Sequence, residues 1–149
     1  MFLDVKISRK SEYAIRALVT MVRQPRSWSI QELSAHEGIP VKFLEQILLA
    51  LRHAGLLSAK RGVGGGYSLR ARPADVTVGR VIRIMDGPIA PVPCAAEHPT
   101  ESCTCPDVRT CPLRQVMVTV REQICAVLDG RTLDELAAAT DRDILAFDI

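Results

Sequence analysis

The sequence predicts a mainly α-helical fold with one small β-hairpin and a long helix near its end. Three observations carry that prediction. Apolar residues recur at helical spacing through most of the first half. Two short strand-like runs flank a glycine-rich stretch at 62–66. An apolar rhythm of 4, 3, 4, 3 runs from Leu113 to Val127. Hydrophobic residues are 48% of the 149 and charged residues 24%, which supplies a core and excludes disorder throughout. That length suits one compact domain, or one with an appended arm.

Taken in order, Ser8 caps a first helix whose inward stripe is Tyr13, Ala14, Ala17, Leu18, Met21 and Val22, stopping near Gln24-Pro25. Ser29-Ile30-Gln31-Glu32 reads as a capping box, the serine oxygen taking a backbone N–H while the glutamate reaches back to the cap. That helix carries Ile30, Leu33 and Ala35 inward and ends at Gly38. After the turn Gly38-Ile39-Pro40, a third helix places Leu44, Ile47, Leu48 and Leu51 on one face and finishes at Gly55. Two short helices joined by a glycine-containing turn are the helix-turn-helix signature. The runs 56–61 and 67–70 then form a hairpin around Gly62-Val63-Gly64-Gly65-Gly66. A hairpin in that place is a wing, so residues 1–72 read as a winged helix-turn-helix DNA-binding domain. A nucleotide-binding loop would need a helix after its glycines, whereas Tyr67-Ser68-Leu69 is strand-like, so no nucleotide partner is expected.

Residues 73–149 read as a cysteine-rich loop and a dimerisation helix. Arg72-Pro73-Ala74-Asp75 makes a turn, and Thr77 caps a helix with Val78, Val81, Ile82 and Met85 inward, closed by Gly87-Pro88. Residues 87–111 are rich in Pro and Cys without periodicity, and a structureless loop of that length is usually functional. Pro112 opens the long helix. Its stripe Leu113, Met117, Val120, Ile124 and Val127 suits a homodimer seam, and equally a core within one chain. Thr132 and Glu135 cap a last short helix with Leu133 and Leu136, before an acidic tail.

The net charge of +2 conceals an asymmetry. Residues 1–72 hold twelve Lys/Arg against five Asp/Glu, and the remainder holds seven against twelve. The first half therefore suits a polyanion such as double-stranded DNA. Opposite the apolar stripe of the third helix stand Lys42, Glu45, Gln46, Leu49 and His53. Lysine can hold a phosphate or a guanine edge, glutamate can accept from cytosine and glutamine can pair with adenine. Leu49 suits base reading least and is expected to pack elsewhere. Lys6, Arg9, Lys10, Lys60 and Arg61 would supply phosphate or minor-groove contacts, with Gly64 and Gly65 at the wing tip beside them. His36 and His53 read as helix surface residues.

No stretch approaches ~18 apolar residues, so no membrane span is expected. The start, Met1-Phe2-Leu3-Asp4-Val5-Lys6, has no basic stretch followed by an apolar run, so the cytoplasm is the expected compartment. Five cysteines in a reducing compartment point to metal or redox chemistry. Cys125 sits apart, on the long helix, and reads as a small buried hydrophobe. Cys94, Cys103, Cys105 and Cys111 share the loop with spacing C-x8-C-x-C-x5-C. Thiolates suit zinc and iron–sulfur clusters alike. Structural zinc sites usually show close cysteine pairs on both sides, so this spacing suits a cluster better, with zinc and thiol–disulfide switching as the alternatives. A thiol–disulfide redox enzyme is disfavoured, because no βαβ pattern surrounds Cys103-Thr104-Cys105.

The runs Ile7-Ser8-Arg9-Lys10-Ser11-Glu12-Tyr13-Ala14, Phe43-Leu44-Glu45-Gln46-Ile47-Leu48, Ala54-Gly55-Leu56 and Arg61-Gly62-Val63-Gly64-Gly65-Gly66-Tyr67 resemble the Rrf-type family of bacterial winged-helix transcriptional regulators, the group of IscR, NsrR and RirA. The likeness spans residues 5–136 and implies a homodimer joined along the long helix and bound to a palindromic operator. It also implies DNA contacts at Lys42, Glu45 and Arg61. Cluster-bearing members hold a two-iron or four-iron centre through three loop cysteines, commonly C-x5-C-x5-C, and sense iron–sulfur, redox or nitric oxide status. Cys105 and Cys111 match the last two. Cys94 takes the first place, with ten residues between it and Cys105 where five are usual, and Cys103 is a reserve. In some relatives a partner subunit's first helix supplies an acidic fourth ligand, the position of Glu12 here. Members such as CymR lack the cluster, and lack this concentration of cysteines too. The resemblance implies a regulator and not an enzyme.

Overall fold

The computed structural model describes residues 7–99 and 103–139, so Lys6 lies outside the described residues. Ser8 caps α1 (Arg9–Arg23) by accepting from the Ser11 backbone N–H at 3.0 Å. The Ser29 capping box starts α2 (Ile30–Glu37), with both reciprocal bonds made, and such a cap contributes about 1 kcal/mol. Gly38, at φ 67, supplies the left-handed residue that lets the chain reverse into α3 (Val41–His53). Ala35 is exposed where it was expected inward; on so short a helix the buried stripe narrows to Leu33 and half-buried Ile30.

The wing pairs β1 (Leu57–Lys60) with β2 (Gly66–Leu69) antiparallel, in the register Leu57 with Leu69 through Lys60 with Gly66. A third segment, which the sequence does not announce, joins it. Trp28 and Tyr67 exchange both backbone hydrogen bonds at 2.8 Å, tying the wing to the entrance of α2. Gly66 sits at φ 138, and a Cβ there would collide with the Trp28 carbonyl.

After a 3₁₀ turn at Pro73–Asp75, Thr77 caps α4 (Val78–Asp86). The chain then crosses residues 87–111 to α5 (Pro112–Asp129) and α6 (Leu133–Ala138). One core unites α1, α2, α3, the wing base, α4 and α6 through Leu18, Leu33, Leu48, Leu57, Val81 and Leu133. Leu133 reaches it because residues 131–133 pair with 76–78: Val78 N–H donates to Arg131 and Leu133 N–H to Val76, each at 2.9 Å. Arg23 at the end of α1 holds the carbonyls of Ala137 and Ala139.

α5 behaves differently. Eighteen residues make a rod about 27 Å long, and none of its side chains is buried. Leu113, Val116, Val120 and Val127 are exposed, while Met117 and Ile124 are half-buried. Among the described residues the stripe is therefore largely uncovered, and no residue of α5 enters the core. Among the described residues no helix is long and apolar enough to cross a membrane.

Substituting Gly66→Ala should lower stability by about 2 kcal/mol, since both the positive φ and the Trp28 carbonyl oppose a Cβ. Denaturant unfolding would measure it, and an unchanged midpoint would show that the Trp28–Tyr67 pairing yields at no cost.

Candidate functional site

The structure offers two surfaces built by different means. The first is the outer face of α3 with the wing. Burial of Leu44, Ile47, Leu48 and Leu51 turns Lys42, Glu45, Gln46, Leu49 and His53 outward, and all five are exposed. Lys60, Arg61 and Gly64 are exposed at the wing, with Gly64 in open space at φ 71. Gly65 is only half-exposed and has a structural reason, because a Cβ there would strike the Lys60 carbonyl. Arg9 is exposed but shared, at 3.4 Å from Glu12 and over the Tyr13 ring; Lys10 is half-buried. Leu49 does not pack elsewhere in the chain as expected.

The second surface is the cysteine loop. Residues 87–111 are not wholly structureless, since a 3₁₀ turn at Pro93–Ala95 buries Ala95. Two arginines of α5 hold that turn by its backbone: Arg114 donates to the Cys94 carbonyl at 2.9 Å and Arg121 to the Ala95 carbonyl at 2.8 Å. Cys94, Cys103, Cys105 and Cys111 all line one cavity of about 280 Å³, together with Val92 and Leu113. The Cys105 N–H donates to the Cys103 sulfur at 3.4 Å. Hydrogen bonds from the Cys105 thiol and backbone hold the Cys103 thiol below its ordinary range. Cys103 in turn pushes the Cys105 thiol up to about 11, so the two thiols titrate as a linked pair.

The donor set is therefore soft sulfur, with no carboxylate or imidazole on the cavity wall among the described residues. That chemistry fits an iron–sulfur centre or thiol redox chemistry. Among the described residues no group of three His, Cys, Asp or Glu is arranged to hold a single metal ion. Glu12 lies on α1, exposed and paired with Arg9 and Arg16, and does not line the cavity of its own chain.

Cys125 departs from its expected role as an apolar core residue. It is half-buried against Arg83, in a cavity that also includes Asp129, Arg121 and His98, on the side of α5 that meets α4 through the Arg83–Asp129 ion pair. There Arg83 and Asp129 form a two-pronged ion pair at 2.6 and 2.9 Å, for which the missing side chain of Gly79 leaves room. At the other end of α4, Asp86 accepts from Ser8 at 2.5 Å and Ser11 at 2.6 Å, clamping α4 to the start of α1. Sequence reading missed Arg83, Arg114, Arg121, Asp86 and Asp129. Their partners lie 20–78 residues away, and no local pattern marks such pairs.

Comparison with known proteins gives concordant results. A family model described as Rrf2, iron-dependent transcriptional regulator, matches residues 7–139. An rrf2-like HTH-type transcriptional regulator of Rhodobacter capsulatus is 37% identical over 89% of this chain and 93% of its own. The structure of CymR, the global cysteine regulator of B. subtilis, superposes with a TM-score of 0.73 at 30% identity, covering 91% of this chain and 98% of that one. IscR of T. potens superposes with a TM-score of 0.69 at 28% identity, covering 88% and 85%. These relatives are transcriptional regulators, not enzymes.

The Arg83–Asp129 clasp makes a pH prediction. The Arg83 guanidinium holds the Asp129 carboxyl below its ordinary range, so the clasp stabilises the fold above about pH 4 and is lost as pH falls further. Asp129→Asn should lower the melting temperature at neutral pH. The gap from the parent protein should close on acidification; a gap constant down to pH 3 would mean that charge is not what holds the clasp.

Proposed function

Because the chain belongs to the Rrf2 family of transcriptional regulators, we propose that it binds a palindromic operator as a homodimer and reports the state of a cysteine-held iron–sulfur centre. The observation that carries this reading is the meeting of four loop cysteines on one cavity whose backbone α5 grips. Cys94, Cys105 and Cys111 would hold the centre, two-iron or four-iron, with Cys103 in reserve and Glu12 of a second copy as a further ligand. When bound, such a centre supplies a link between thiolates that iron supply, oxidants or nitric oxide can make or break.

The chain's own contacts provide a route outward from that site. Arg114 and Arg121 tie the loop to α5, Arg83–Asp129 ties α5 to α4, and Asp86 ties α4 to Ser8 and Ser11 on α1. A change in loop shape thus shifts α5 relative to the DNA-binding core, and with it the spacing of two recognition helices. A ligand that favours one of two such states biases operator affinity. Lys42, Glu45, Gln46, Lys60 and Arg61 face the operator, joined by Arg9, Lys10, Gly64 and Gly65; Lys6, outside the described residues, is a further candidate for a phosphate contact. The exposed stripe of α5 forms the dimer seam, beside an apolar groove lined by Ile82, Ile124 and Leu128. A regulator of chromosomal DNA of this kind works in the cytoplasm.

A second reading, a thiol regulator of the same fold without a cluster, draws support from the closeness of Cys103 and Cys105. Zinc is the remaining alternative.

Anaerobic purification with iron, sulfide and zinc analysis separates these readings. Cys94→Ser, Cys105→Ser and Cys111→Ser should each abolish visible absorption, Cys125→Ser should leave it intact, and Glu12→Ala should leave a centre that decays faster. Stoichiometric zinc without sulfide would replace the cluster with zinc, and metal-free active protein would favour the thiol reading.

For the dimer, Val120→Glu places two like charges at a symmetric apolar seam. Light scattering should show monomers, and operator binding should weaken because two half-sites no longer share one ligand. A variant that remains dimeric would remove α5 from the interface.

A further inference from the structure

One residue on the outer face of α3 is of the wrong chemical type for its surroundings. With about 100° of rotation per residue, Leu49 projects between Glu45 and Lys42 and close to His53, near the centre of the arc opposite Leu44, Ile47, Leu48 and Leu51. It is 45% exposed and takes no part in the core. The other outward apolar residues of α3 differ from it. Phe43 lies edge-on to Tyr13, with ring centroids 5.7 Å apart, and Val41 begins the helix at the rim. Leu49 alone stands among the polar side chains that would face base edges.

In the major groove each base pair presents hydrogen-bonding atoms, and thymine also presents a methyl group. Glu45 and Gln46 can satisfy the former, and neither can cover the latter. A branched aliphatic side chain between them, on the basic half of the chain, supplies the missing apolar contact. We infer that Leu49 is a specificity-determining residue that reads one thymine methyl in each operator half-site. This rests on the operator-binding reading above and deepens it.

The contact removes about one methyl group from water on the DNA side, which is about fourfold in affinity per half-site. The probe is a duplex enriched from a random-sequence pool by the full-length protein. Each thymine is then replaced singly by deoxyuridine, which deletes only the methyl and keeps the pairing. One thymine per half-site should respond, weakening binding about fourfold, and about fifteenfold when both half-sites are changed. Leu49→Ala should bind the thymine and uracil duplexes equally, with an unchanged melting temperature. Arg61→Ala, as a comparison, should weaken both duplexes alike while keeping their ratio.

Indifference of the parent protein to every methyl, or a thymine preference that survives in Leu49→Ala, overturns the assignment while leaving operator binding standing. A change of oligomeric state in Leu49→Ala, without loss of methyl sensitivity, would assign the residue to contact with another protein surface. Failure to enrich any duplex would overturn operator binding and the Leu49 role together.

Discussion

Three arginines decide where α5 stands. No side chain of that helix is fully buried, so half-buried Met117, Ile124 and Leu128 set its angle only loosely, and much of the task passes to Arg83, Arg114 and Arg121. Planar guanidinium groups hold direction well, since each presents donors in a fixed fork. Their bonds are also individually modest, because the groups remain partly exposed and water competes for them. α5 is thus well aimed but lightly held, as the proposed switching would require. The contrast with α6 is instructive: Leu133 is fully buried and backbone pairing with residues 76–78 fixes its approach, so the end of the described chain is anchored firmly in the core.

The two functional surfaces differ in the same way. The α3 face is preset by the core, since four buried apolar residues on one side leave no freedom in what faces outward. Gly66 and the Trp28–Tyr67 pairing set the base of the wing with equal firmness. The cysteine cavity instead belongs to a segment whose only regular turn spans Pro93–Ala95 among the described residues, and whose thiols lie mostly half-exposed. The rigid α3 face and the more pliable cysteine cavity are therefore built from separate stretches of chain, joined through α4 and α5.

Most of the fold was legible because its determinants are local. Caps at Ser8, Ser29, Thr77 and Thr132, the left-handed Gly38, and the apolar stripes of α1, α3 and α4 act within a few residues of themselves. What stayed hidden is long-range and polar. Asp86 looks like an ordinary helix-end carboxylate, and only the fold reveals Ser8 and Ser11 beside it. Cys125 departs from the expected burial because the helix face it occupies, beside the apolar stripe, meets Arg83. The four loop cysteines were legible as a group from proximity in sequence, yet their arrangement around one cavity depends on the turn at Pro93–Ala95.

Arg114 and Arg121 grip main-chain carbonyls, not side chains. Every residue type carries the same carbonyl, so the grip is blind to what the loop is made of. Cysteines in the loop could be gained, lost or respaced over evolutionary time without loosening α5. The ten residues between Cys94 and Cys105 can be accommodated by such an attachment. The chemistry of the loop can then vary while its attachment to α5 is kept.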